Sequence, residues 1–270
     1  MEWWIAIILG ILQGVTEWLP ISSSGHLAIF QHYFNDKPPI LFDVILHLGS
    51  LSVIFYILRS EIKEFLESLP GTLRKLNNPS TFNNEEKLVF LVILATIPTA
   101  VIGLMFDGEI IDSFYEKMHL VGLCLIFTGV LIWYSKDFNH KLEIQDLPAS
   151  RSIYTGIIQG LAILPGISRS GVTISILRIF GLNPLRAAKF SFLIFIPAIL
   201  GATLLQLNEA SRTLEEVGFS SIVLGFLASS ISSFVSIKFL LRLIDKQQFH
   251  YFTPYCFLLG IFLIFENSLI

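Results

Sequence analysis

The sequence predicts an all-α integral membrane protein of six transmembrane helices plus two re-entrant helix-loop-helix hairpins, arranged as an inverted-topology repeat. Three observations carry this expectation. Hydrophobic residues make up 53% of the 270 positions and charged ones only 14%, with a mean hydropathy of +0.71, whereas soluble domains usually carry about 25% charged residues. Several stretches free of Asp, Glu, Lys and Arg approach the roughly 20 residues of a spanning helix. Two further apolar regions are interrupted by Pro, Gly and Ser at matching places.

The first interrupted region covers residues 3–35 and breaks around Pro20 to Gly25. Its apolar run from Trp3 to Thr16 reaches only about 21 Å of a core about 30 Å thick, too short to cross. A secretory leader is the other reading of this segment, but the basic amino-terminal region of a leader is replaced by Glu2. Residues 42–58 follow as a spanning helix that tolerates Asp43 and His47 near a polar end. Residues 59–87 form a charged loop whose Asn-rich part, Lys75 to Glu86, reads as flexible. Residues 88–106 and 118–135 each span.

The second interrupted region, residues 152–177, breaks at Pro165 to Gly171, and spans follow at 190–208, 217–237 and 247–265. Irregular backbone at membrane depth survives only where protein or a water-filled cavity satisfies its N–H and C=O groups, so both interrupted regions read as hairpins lining a cavity. Serines at 220–236 recur at helix-packing spacing and read as contact residues.

A shift of 146 residues lays Gly10, Ile11, Gln13, Gly14, Ile21, Ser22, Ser24 and Gly25 on Gly156, Ile157, Gln159, Gly160, Ile167, Ser168, Ser170 and Gly171, eight identities in sixteen positions. The single membrane domain, 1–270, thus divides into halves 1–146 and 147–270, each one hairpin and three spans. An odd number of crossings inverts one half relative to the other, and inverted repeats bring broken helices together deep in a membrane.

Loop charges set the orientation. Residues 59–87 hold Arg59, Lys63, Arg74, Lys75 and Lys87, while 107–117 hold Lys117 among four acids. The first loop is therefore expected in the cytoplasm, with 136–151 and 238–246, and both termini outside it. A formal charge of −3 offers no basic excess for a nucleic-acid backbone. Cys124 and Cys256 lie in apolar runs and suggest neither a disulfide framework nor a thiolate metal site.

Chemistry concentrates at the two breaks. Gln13 and Glu17 share one helical face beside Ser22, Ser23, Ser24, Gly25 and His26. A carboxylate at depth costs about 2.5–3.5 kcal/mol on insertion scales, so it needs a partner or a task. Snorkelling to headgroup water is the bland alternative, but acceptor, proton carrier and hydroxyls together favour function. In the second break Gly166, Ser168, Arg169, Ser170 and Thr173 put a guanidinium among small residues and hydroxyls. Such a loop suits a phosphate, while an Arg169–Glu17 structural pair is the competing reading. Lys189 and Ser191 either add to an anion site or, for Lys189, snorkel. His47 with Asp43 reads as a polar helix end.

The stretch from Gln13 to His26, QGVTEWLPISSSGH, and that from Pro165 to Thr173, PGISRSGVT, resemble the undecaprenyl-diphosphate phosphatase family, known also for bacitracin resistance, over nearly the whole chain. The family places Glu or Gln at the position of Gln13, Thr at Ser24 and Ala at Val172. The resemblance implies hydrolysis of the C55 isoprenyl diphosphate carrier, and of shorter prenyl diphosphates, in the bacterial cytoplasmic membrane, supplying lipid for cell-wall synthesis. It makes Glu17, Ser23, His26, Ser168, Arg169 and Thr173 the expected site residues.

On this reading Glu17, Ser23, His26 and Arg169 act on the substrate. Gln13, Ser22, Ser24, Gly166, Ser168, Arg169, Ser170 and Thr173 bind it, and a divalent cation, Mg²⁺ or Ca²⁺, is held in part by Glu17. The serine as nucleophile and an activated water stay open, as does self-association into a homo-oligomer. The expected site opens toward the outer face. A phosphatidate-phosphatase type site is disfavoured, because the His it needs six places beyond its Arg is Ser175 here. A lipid-phosphate or anion transporter or flippase on the same architecture is the rival.

Overall fold

The computed structural model describes residues 1–34, 38–106, 113–114, 117–138 and 141–266. The acids of 107–112 and Glu116, used above for orientation, lie outside them. Helix α1 (Trp3–Trp18) ends at Leu19, whose extended backbone is what a following Pro20 imposes. The chain then turns through Ser22, in the left-handed region at φ 70°, into α2 (Ser23–Phe34). The matching region forms α7 (Ala149–Leu161) and α8 (Arg169–Ile179) around a turn at Gly166, φ 97°. Under the 146-residue shift the caps coincide: Ser22 Oγ accepts Gly25 N–H, and Ser168 Oγ accepts Gly171 N–H, both at 3.1 Å.

Among the described residues six helices are long and apolar enough to cross a membrane: α3 (Ile40–Ile57), α5 (Asn84–Met105), α6 (Met118–Tyr134, continued by a 3₁₀ turn), α9 (Pro184–Leu205), α11 (Phe219–Asp245) and α12 (Thr253–Glu266, after a 3₁₀ turn). They coincide with the six expected spans. α11 runs on past the expected end, with the Lys238 ammonium 3.9 Å from the Phe234 ring centroid. Their outer faces stay apolar, with Leu204, Ile231, Val235 and Leu258 exposed, as lipid requires and water would punish.

Residues 59–87 are not simply a loop. Arg59–Arg74 form the amphipathic helix α4, held to α9 by a 3.1 Å ion pair between Glu61 and Lys189. The stretch read as flexible is tied at its ends by Lys75 Nζ to Glu86 Oε1, 2.7 Å, and by a capping box between Asn83 and Glu86 that starts α5. A short helix α10 (Ala210–Val217) precedes α11.

The packing crosses between the halves. α1 lies along α11 and α7 along α5. Gly10 and Gly14 let α1 approach Gly225, Ala228, Ser229 and Ser232, and Gly156 and Gly160 let α7 approach Ala95, Pro98 and Ile102, the close contact that small residues four apart permit in membranes. The serines of α11 donate to backbone carbonyls of its neighbours, Ser233 to Gly14 and Ser236 to Val15 of α1 and Ser229 to Leu46 of α3. They are contact residues, as expected. The main core gathers around fully buried Trp18, which Phe192 and Phe195 of α9 meet edge-on.

Candidate functional site

The two breaks meet. Ser22 Oγ accepts the Gly166 N–H at 3.1 Å and lies 3.4 Å from Ile167 O, so this hydroxyl joins the turns. Gly25 and Gly166 face each other at the junction, where a Cβ on Gly25 would touch Gly166 Cα at 3.0 Å. Thr128 of α6 closes the second turn: its hydroxyl donates to Gly166 O and accepts Ser168 N–H.

This docking brings Arg169, the first residue of α8, against Glu17, one residue from the end of α1. Arg169 Nη2 lies 2.6 Å from Glu17 Oε1. The other carboxylate oxygen, Oε2, accepts from Ser23 Oγ at 2.6 Å and from Gln13 Nε2 at 2.9 Å, one helical turn back. Glu17 is 5% exposed, so its charge survives burial because donors surround it. The guanidinium lies 3.6 Å from the Phe195 ring centroid and 5.4 Å from that of Trp18, the aromatic support a poorly hydrated cation accepts. Its Nε and Nη1 are buried without a hydrogen-bond partner among the described residues, as is Gln13 Oε1. Buried donors and acceptors are normally satisfied, so these atoms are the polar groups of the cluster left for a ligand to complete.

The remaining expected residues take distinct places. Ser168 caps α8, and its Oγ lies 3.3 Å from that of Ser170, as Ser22 Oγ does from Ser24. Ser170 Oγ donates to Glu17 O. Thr173 Oγ1 donates to Arg169 O at 2.7 Å and so accepts from Ser191 Oγ at 2.6 Å. Lys189, engaged with Glu61, does not join the cluster.

His26 is turned to a different partner than Glu17. Its Nδ1 faces the Ser22 carbonyl at 2.7 Å and therefore carries the hydrogen. Nε2 then presents a lone pair to the hydroxyl of Tyr255 of α12, at 2.6 Å. The imidazole that does reach Glu17 is His47 of α3, with Nε2 3.4 Å from Oε2. The signal for His47 was a histidine inside an apolar span one turn after Asp43, which the reading as a polar helix end underweighted. Nothing local distinguished Tyr255.

A family model described as bacitracin resistance protein BacA matches residues 6–262. The undecaprenyl-diphosphatase of Methanobrevibacter smithii is 38% identical over 270 residues, covering 98% of this chain and 97% of that one. That of Alkaliphilus metalliredigens is 40% identical over 276 residues, with 98% of each chain covered, and that of Carboxydothermus hydrogenoformans is 38% identical over 265 residues, covering 95% and 94%.

Proposed function

This chain belongs to the family of the bacitracin resistance protein BacA, and on that premise we propose that it is a multi-pass membrane enzyme hydrolysing undecaprenyl diphosphate to undecaprenyl phosphate and inorganic phosphate. Shorter prenyl diphosphates with the same headgroup are accepted too. One observation carries the reading: two buried guanidinium donors of Arg169, without a hydrogen-bond partner among the described residues, sit beside a carboxylate already bonded to a serine hydroxyl.

In this mechanism the Arg169 Nε and Nη1 take the terminal phosphate, and the N–H groups opening α8 add positive potential. The Ser23 hydroxyl points its hydrogen at Glu17 Oε2, so Glu17 is placed to receive the proton of the attacking hydroxyl, whether that of Ser23 or of a water it positions. The bond to the terminal phosphorus forms as the P–O–P bridge breaks, and the lipid monophosphate leaves. If Ser23 attacks, water then releases phosphate from it. Charge developing on the transferred group is met by Arg169. His26, held with its lone pair outward by Ser22 O and Tyr255, is available for a later proton transfer.

The residues also fit a divalent cation. Among the described residues no three His, Cys, Asp or Glu side chains gather to cage one, but Mg²⁺ is usually bound through one or two carboxylates plus substrate phosphates, and Ca²⁺ likewise takes oxygen ligands. Glu17 and the orphaned Gln13 Oε1 would hold it. When bound, such an ion supplies charge neutralisation of the diphosphate. Loss of activity on chelation, restored by Mg²⁺ or Ca²⁺, is the expected result.

The bacterial inner membrane, re-entrant courses for α1–α2 and α7–α8, termini outside the cytoplasm and an outward-opening site belong to the same reading. Loop charges, the sequence repeat and the coincident Ser22 and Ser168 caps support it. So does the asymmetry of the repeat, which gives Glu17, Ser23 and His26 to the first pair and Ile163, Arg169 and Val172 to the second. The test of function is phosphate release from a C15 or C55 prenyl diphosphate by purified protein in detergent, where no compartments exist and transport cannot be scored. Absence of turnover would favour the transporter.

A further inference from the structure

His47 reaches Glu17, yet neither the motifs nor the mechanism above employ it. Its ring is fixed from behind: Nδ1 lies 2.8 Å from the Asp43 carbonyl, which can only accept, so Nδ1 carries a hydrogen and Nε2 is aimed at Glu17 Oε2. The backbone that carries it is fixed as well. Leu46 O accepts from Ser229 Oγ at 2.6 Å and Gly49 O from Ser230 Oγ at 3.0 Å, bracketing His47 with bonds from α11. Asp43 is held to α2 by Gln31 Nε2, 3.1 Å from its Oδ2. Both ring nitrogens thus face oxygen atoms, Asp43 O on one side and Glu17 Oε2 on the other.

We infer that His47 is a positioning residue for the hydrolytic reaction: its Nε2–H holds the Glu17 carboxylate in the rotation that turns Oε2 to Ser23 and Oε1 to Arg169. The inference rests on the phosphatase reading. Glu17 has two tasks on two oxygens, and a carboxylate on a flexible stem rotates unless both are restrained. Gln13 restrains Oε2 from within α1, whereas His47 reaches it from another helix and sets α1 against α3. The 3.4 Å separation is long for a hydrogen bond, as such contacts often are before substrate is bound.

The experiment measures kcat and KM for phosphate release from a C15 prenyl diphosphate in detergent, for wild type, H47L, H47N and H47Q. Turnover by wild type tests the phosphatase reading on its own, and the ratios between variants test the inference. H47L removes the donor and should lower kcat about ten-fold or more, with KM changed no more than about three-fold. H47N, polar but too short to reach Oε2, is read the same way and keeps the test decisive if H47L fails to fold. H47Q retains an N–H of sufficient reach and should recover most of the lost kcat. H47L or H47N within about two-fold of wild type would overturn the inference. So would H47Q as impaired as the donor-free variants, which would leave His47 a packing residue.

Discussion

Arg169 Nη2 and Glu17 Oε1 lie 2.6 Å apart although 152 positions separate them in the chain. The structural-pair reading of Arg169 is realised in this contact: one nitrogen of the guanidinium secures Glu17, while the other two have no hydrogen-bond partner among the described residues and leave the anion-binding reading open to test. A planar fork serves both tasks and a point charge does not. Arg169→Lys should retain the pair with Glu17 yet lose on the order of 10²–10³-fold in kcat, read by phosphate release in detergent. Activity near wild type would reduce Arg169 to its structural role.

Glu17→Gln turns one of the two carboxylate oxygens into an NH₂ donor, so Gln13, Ser23 and Arg169 can no longer all find an acceptor there. It leaves the guanidinium buried without its counter-charge, a change that typically costs about 3–5 kcal/mol. The variant should show both a lowered melting temperature in detergent and near-complete loss of turnover. Loss of turnover at unchanged melting temperature would mean that the ion pair contributes nothing to the docking of the two turns.

The helix seams should be intolerant of one methyl group. A Cβ on Gly156 would collide with the Ala95 carbonyl, and one on Gly14 with Ser232 Oγ, while Cβ atoms on Gly103 and Gly201 would meet nothing within 4 Å. Gly156→Ala and Gly14→Ala are therefore expected to destabilise by about 1–3 kcal/mol, whereas Gly103→Ala and Gly201→Ala are expected to be neutral or slightly stabilising. Thermal melts of the four variants in one detergent compare them directly.

Orientation is open to labelling. In a chain with Cys124 and Cys256 replaced by Ser, a membrane-impermeant reagent should reach Asn78→Cys only after the cells are opened. Prenyl diphosphate loaded on one leaflet of vesicles with protein of known orientation should release phosphate into the compartment matching the outside. Release only on the cytoplasmic side would remove the outward-opening site.

The six crossings were legible because hydropathy is a local property: a bilayer selects each apolar stretch by its own length, whatever it later touches. The two breaks were legible for a similar reason, since Pro20, Pro165 and the glycines act on the backbone at their own positions. Gln13 beside Glu17 followed from helical spacing alone, and the serines of 220–236 at helix-packing spacing proved to be contact residues. What α4 does was not legible, because its amphipathic face acquires meaning only through the Glu61–Lys189 pair and the helices it covers. The site shows the same division. Glu17, Ser23 and Arg169 stand out locally as polar groups in apolar surroundings, but which imidazole meets the carboxylate depends on how α1, α2, α3 and α12 cross. That crossing turns His47 toward Glu17 and His26 toward Tyr255. Contacts between residues 30 to 229 positions apart arise from close packing of whole helices, and no spacing within any one helix encodes them.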